Sequence, residues 1–247
     1  MADLPASWTS LRRFTQARVA LGRVGNGLPT TAHLAFQAAH ALARDAVSAT
    51  LDTAALARDL AGLGLAVSHL RSQARDRRAY LLRPDLGRAA NRDDLATLPR
   101  EGGIALLIAD GLSATAAERH AVPLLAEALP RLAAIGAAPT RAVIATQARV
   151  ALGDPVGEAL GAEVVIVLIG ERPGLSAPDS LGAYITHAPR VGRTDAERNC
   201  ISNIRAGGLG YAEAAATLAW LVGEMLRRGH SGVALKDERP ATPALEG

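Results

Sequence analysis

The amino-acid sequence predicts an α/β fold, and three observations carry that prediction. Two short, uninterrupted apolar runs stand beyond residue 100, Ile104-Ala-Leu-Leu-Ile-Ala109 and Val164-Val-Ile-Val-Leu-Ile169. Runs of this length are what strands buried on both faces require. Segments with helical start and stop signals alternate with such runs, as a sheet with helical crossovers demands. The first hundred residues hold no comparable run and read as helices. The expected organisation is a small all-helical N-terminal domain, residues 1–95, then an α/β domain, residues 96–247. The second is expected to be Rossmann-like, with a mostly parallel sheet and helices on both faces.

Each element has a local reason. Pro29-Thr-Thr31 can start a helix, and residues 32–47 contain no Gly or Pro. Residues 51–63 form a second helix, stopped at Gly62 or Gly64. A basic segment follows (Arg71, Arg75, Arg77, Arg78), and Pro84 ends any helix there. Residues 91–103 are polar and end in glycine, which marks the boundary. The strand at 104–109 runs into Asp110-Gly111, and Thr115-Ala-Ala-Glu118 fits a capping box for the next helix. Gly136 ends that helix, and Pro123 argues against its continuity. Arg141-Ala-Val-Ile-Ala145 is a strand, and Asp154-Pro155 opens a short helix with Asp as N-cap. The 164–169 strand lies between Gly161 and Gly170, and Ala183-Tyr-Ile-Thr186 is a weaker fourth strand. Residues 211–228 close the fold as a helix. Tyr211, Ala215, Leu218, Val222 and Met225 line its apolar face, and Arg227-Arg228 precede Gly229. From Glu238 onward, Pro240 and Pro243 suggest a loose tail.

Composition excludes several classes of function. The chain has 247 residues, 49% hydrophobic and 21% charged, the balance of a globular protein. No apolar run reaches the roughly 18 residues of a membrane span. Met1-Ala-Asp-Leu-Pro5 lacks the basic and apolar regions of a signal peptide, so a cytoplasmic location is expected. Cys200 is the single cysteine, which excludes an internal disulfide and a cysteine-built zinc site. Aromatics are 3%, too few for stacking nucleic-acid bases. Lys236 is the only lysine among 27 basic residues, and the net charge is +3, with no concentrated basic patch.

In open α/β sheets ligands lie outside the carboxyl ends of the strands. The loops to inspect are therefore 110–113, 146–154, 171–180 and the stretch beyond Thr186. Glu171-Arg172-Pro-Gly174 directly follows the strongest strand. It reads either as a solvated turn or as a site where Glu171 accepts hydrogen bonds from amide donors. Cys200 follows a second capping-box match, Thr194-Asp-Ala-Glu197, and reads as a small buried hydrophobe or a contact thiol. Gly22-Arg-Val-Gly-Asn-Gly27 is not a dinucleotide or P-loop fingerprint and suits a tight turn. His33 and His40 are about 10 Å apart along one helix, too far to share a metal ion. His187 has no visible catalytic partner, and neither H-E-x-x-H nor G-x-S-x-G occurs.

Five strings then coincide in order: Ala17-Arg-Val-Ala-Leu-Gly-Arg-Val-Gly25, Tyr80-Leu-Leu-Arg-Pro-Asp-Leu-Gly-Arg88, Ala109-Asp-Gly-Leu-Ser113, Ile169-Gly-Glu-Arg-Pro-Gly-Leu175 and Asn199-Cys-Ile-Ser-Asn-Ile204. Together they resemble the small (light) subunit of ethanolamine ammonia-lyase, over about residues 12–236. The chain is similar to family members that lack a long N-terminal extension. The resemblance implies an adenosylcobalamin-dependent enzyme that converts ethanolamine to acetaldehyde and ammonia through a radical mechanism. It implies a large (heavy) subunit that holds the substrate, with cobalamin at the interface between the subunits. The family's cobalamin contacts fall on Val150, Glu171 and Cys200, and no catalytic or metal-ligating residue falls on this chain. It also raises a bacterial microcompartment as a location.

The residues agree with that implication. A corrin is broad, flat and rimmed by amides, so it needs an apolar wall and hydrogen-bond acceptors. Val150 can supply the first, Glu171 the second, and Cys200 a small polarisable contact. No D-x-H-x-x-G string occurs, so the resemblance implies that the cofactor keeps its own base on cobalt. Two other readings stay open on the sequence. A nucleotide-binding Rossmann-type oxidoreductase fits the sheet pattern but lacks the glycine fingerprint, and a nucleic-acid binder fits only the basic pI of 9.6.

Overall fold

The computed structural model describes residues 8, 10–15 and 17–239. The N-terminal five residues and the tail from Pro240, both read above, lie outside them. Six strands form one sheet: β1 (Ala66–Arg71), β2 (Ile104–Ala109), β3 (Arg141–Thr146), β4 (Val164–Gly170), β5 (Leu181–His187) and β6 (Asn199–Ile204). Their order across the sheet is β1-β3-β2-β4-β5-β6. The first four are parallel, whereas β5 is antiparallel to both β4 and β6.

The sheet is thus mixed, and the connection lengths explain it. A parallel return needs a crossover of a dozen or more residues. The segment between Gly170 and Leu181 is shorter and holds no helix, so β5 comes back antiparallel. This corrects one expectation directly. The loop beyond Thr186 lies at the opposite end of the sheet from the others, because His187 pairs with Val164 at the start of β4.

The all-helical front is also corrected. β1 lies within it and pairs with β3 from Ala66 opposite Arg141 to Arg71 opposite Thr146. Its Ala-Val-Ser-His-Leu-Arg sequence sits at a sheet edge with only Leu70 buried. An edge strand needs no continuous apolar run, so it carried no strand signature. The sheet therefore takes its edge from the segment before residue 95.

The helices are α1 (Thr30–Ser48), α2 (Thr53–Gly62), α3 (Arg77–Leu82), α4 (Pro84–Arg88), α5 (Arg92–Ala96), α6 (Ala114–Ala134), α7 (Gly153–Leu160) and α8 (Tyr211–Arg228). Asp52 and Asp76 cap α2 and α3 through backbone N–H groups 2.9 and 2.7 Å away. The cap of α6 is Ser113, two residues ahead of the expected box start, and Pro123 and Pro130 both sit inside the helix. Leu106, Ile108, Ile144, Ile166 and Leu168 pack on one face of the sheet against α2, α6 and α8. Leu107, Val143, Val165, Val167 and Ile169 pack on the other with Leu152 and Val156. Each fully buried side chain of this size contributes about 1.5–3 kcal/mol.

Asp154 does not cap α7. Its carboxylate receives two bonds from Arg198, at 2.6 and 2.7 Å, and both side chains are at most 3% exposed. Arg198 also donates to Thr186 Oγ1 at 3.1 Å. This buried pair ties the α7 turn to β5 and to the residue before β6.

Two glycines set the rim of the sheet. A Cβ at Gly170 would lie 2.0 Å from the Ser113 carbonyl oxygen, and one at Gly111 2.2 Å from the Gly170 carbonyl oxygen. The loop after β2 is therefore pressed onto the end of β4. Gly170→Ala is expected to cost about 1–3 kcal/mol through forced backbone movement, read as a lower midpoint of thermal unfolding.

Candidate functional site

A cavity of about 390 Å³ opens where the loops after β2, β3 and β4 meet. Tyr80, Arg149, Val150, Glu171 and Tyr184 line it. Val150 begins the 3-10 turn Val150–Leu152 after β3, and Leu152 of that turn is fully buried against the sheet. Glu171 is the first residue beyond β4. Tyr184 stands on β5 and pairs directly with Cys200 on β6.

Glu171 is held from three sides. Ser202 Oγ donates to Oε1 at 2.5 Å, and the Asn203 N–H donates to Oε2 at 3.2 Å. Ser180 Oγ donates to Oε2 as well. The Glu171 N–H donates to the Ser180 carbonyl at 2.9 Å. A carboxylate offers about four lone-pair sites, so one acceptor direction remains for a ligand donor. Gly182 makes this arrangement possible, since a Cβ there would sit 2.9 Å from Glu171 Oε1. Gly182→Ala is expected to displace the carboxylate and lower affinity for any ligand it holds several-fold, as measured by ligand titration.

Cys200 is exposed and sits mid-strand, level with Tyr184 and Val167 rather than beyond the rim. It is the cross-strand partner of Tyr184. Partial desolvation of the sulfur and the nearby Glu171 carboxylate push the thiol above its ordinary value, against the influence of the Tyr184 hydroxyl. Burial and the Cys200 side raise the Tyr184 phenol too. The thiol therefore stays protonated at neutral pH. Alkylation of Cys200 by iodoacetamide at pH 7.5 should run slower than that of a free thiol, with its pH midpoint displaced upward. A rate equal to that of free cysteine would contradict the geometry.

Behind the cavity, Tyr80 is fully buried, and its hydroxyl donates to the Ala148 carbonyl at 3.1 Å. Burial pushes its phenol up to about 12. The Arg149 and Arg77 guanidiniums lie over its ring, 4.2 and 4.8 Å from the centroid. Asp110, raised by its burial, accepts from the Gln147 and Ala148 N–H groups at 2.8 and 3.0 Å. These contacts fix the segment from Gln147 to Val150.

Of the three residues named from the sequence, the structure brings Val150 and Glu171 together, whereas Cys200 lines a separate cavity with Ser202 and Leu209. Cys200 adjoins the cavity of Val150 and Glu171 only as the cross-strand partner of Tyr184. Sequence reasoning missed Ser180, Gly182, Tyr184 and Ser202. The alternation of 182 with 184 on β5 and of 200 with 202 on β6 places these residues on one face, and was the available signal. The remaining candidates lie apart. Gly27 and Val24 close a small bridged turn, and His40 stacks on Phe36. His187 lies at the other end of the sheet, its ring lowered by burial. Among the described residues, no His, Cys, Asp and Glu group is placed to hold a metal, and no helix is long and apolar enough to cross a membrane.

A family model described as "Ethanolamine ammonia-lyase light chain (EutC)" matches residues 5–236. The chain belongs to the ethanolamine ammonia-lyase light-chain family. It is 57% identical to the ethanolamine ammonia-lyase small subunit of Bradyrhizobium diazoefficiens, over 92% of this chain and 89% of the relative. The small subunit of Ralstonia nicotianae is 54% identical over 99% and 94% of the two chains, and that of Azotobacter vinelandii 56% over 94% and 88%. The light-chain match spans both sides of the cavity, from the Tyr80 segment to β6.

Proposed function

We propose that this chain is the small subunit of an adenosylcobalamin-dependent ethanolamine ammonia-lyase and forms one wall of the cobalamin site. The observation that carries the reading is the meeting of Val150, Glu171 and Tyr184, the strand partner of Cys200, at one open cavity. Family membership supports the activity, and the small-subunit names of its relatives support a large-subunit partner.

The residues fit a corrinoid. The Glu171 carboxylate is already oriented and keeps an acceptor site for an amide N–H. Gly182 leaves room for that carboxylate, Val150 offers an apolar contact, and Tyr184 lines the same cavity beside its strand partner Cys200. When bound, adenosylcobalamin supplies the radical chemistry that turns ethanolamine into acetaldehyde and ammonia. This chain's part is to bind and orient the cofactor's rim and to exclude water from it. The substrate is held mainly by the large subunit, so the chain alone is inactive. α1 supports the need for a partner. Only Ala46 of its 19 residues is buried, and isolated helices of that length are marginal in water.

Co-expression with the large subunit tests the reading. The pair should co-purify, retain adenosylcobalamin and release ammonia from ethanolamine. An assembled pair that retains no corrinoid would overturn it.

A further inference from the structure

We infer that Arg149 is a further cobalamin-binding residue of this chain, donating a hydrogen bond to an oxygen on the corrinoid, either an amide carbonyl or the phosphodiester. This rests on the proposed cobalamin site and extends it, because Arg149 lines the same cavity as Val150 and Glu171.

The side chain is positioned before any ligand arrives. Its backbone N–H donates to the Gly87 carbonyl at 2.8 Å, and its guanidinium lies 4.2 Å from the Tyr80 ring centroid. Nη2 donates to the Tyr80 carbonyl at 3.3 Å. A Cβ at Gly87 would come within 3.0 Å of Arg149 Cγ, so the stem runs through a fitted slot. Nε is enclosed against the protein, but Nη1 is not buried and makes no hydrogen bond, and among the described residues no carboxylate pairs with the guanidinium. Many other arginines here are ion-paired, for example Arg71 with Asp94 and Arg141 with Glu101. An unpaired, accessible N–H on a rigidly held cation at a cavity wall is placed to donate to an acceptor from outside the chain.

The chemistry complements Glu171. A corrin amide presents both an N–H donor and a carbonyl acceptor, and the phosphodiester presents acceptors only. Glu171 can take the N–H, and Arg149 can give to the oxygen. A planar guanidinium on an aromatic face suits such an oxygen better than an ammonium does.

The test uses the assembled two-subunit complex and measures corrinoid binding by equilibrium dialysis with absorbance detection. Cyanocobalamin and cobinamide, which lacks the nucleotide and its phosphodiester linkage, are the probes. Arg149→Met is expected to weaken cyanocobalamin binding about tenfold to a hundredfold while the subunits still associate. Equal losses with both probes assign the acceptor to a corrin amide, and a loss with cyanocobalamin alone assigns it to the nucleotide side. If Arg149→Met does not fold, Arg149→Lys carries the test. It keeps the charge but lacks the planar guanidinium and its Nη1 donor, and a several-fold loss is expected. Unchanged affinity in the folded variant, beside a wild type that binds, overturns the inference. A wild-type complex that binds neither probe overturns the cobalamin site itself.

Discussion

Glu171→Ala is expected to weaken cobalamin retention by the assembled complex about tenfold to a hundredfold, and far more than Cys200→Ala. A hydrogen bond to an ionised carboxylate contributes about 1.5–3 kcal/mol, whereas a thiol contact contributes much less. The structure adds a second reason. Glu171 collects Ser180, Ser202 and the Asn203 N–H, so its loss also unties β4 from β6 at the rim. Glu171→Gln separates the two effects, because the amide keeps one acceptor oxygen while losing the charge. It should retain subunit association and most of the fold yet bind cobalamin less tightly than wild type. Equal affinities for wild type, Glu171→Ala and Cys200→Ala would remove Glu171 from the site.

Arg198→Met should be the most damaging single substitution to folding. Arg198 and Asp154 form a buried, two-pronged pair, and Asp195 faces the same guanidinium from solvent at 3.4 Å. Removing one partner leaves a buried carboxylate uncompensated, a loss of about 3–5 kcal/mol. The midpoint of denaturant unfolding should fall accordingly. The double variant Arg198→Met with Asp154→Leu should recover much of that loss, since it buries no charge. Because Arg198 precedes β6, the single variant should also loosen Cys200 against Tyr184 and speed its alkylation.

The elements legible in the sequence are those whose environment is uniform. The 104–109 and 164–169 runs are fully buried, and a β-branched apolar string in such a place has one structural meaning. The 211–228 helix was equally plain because its apolar face repeats every three or four residues. β1 and β6 were not legible, since each lies at a sheet edge with alternating or mostly exposed residues. Asp154 fitted the local rule for an N-cap, but a distant arginine claimed its carboxylate, which no local pattern records. The site divided the same way. Glu171 and Cys200 came from strings that resemble a family and Val150 from the Arg149-Val150 pair before Asp154, while residue chemistry alone left Glu171 open between turn and ligand. The surrounding Ser180, Gly182, Tyr184 and Ser202 depend on the antiparallel return of β5, and that register appears only in three dimensions.

The central claim is that this chain and a larger partner hold one corrinoid between them. Its most direct measurement is the corrinoid bound per complex after exhaustive dialysis, for this chain alone, the large subunit alone and the co-expressed pair. The account predicts retention by the pair, little by either protein alone, and loss of retention when Glu171 and Arg149 are both replaced. A pair that assembles but keeps no corrinoid, or one indifferent to both replacements, would contradict it.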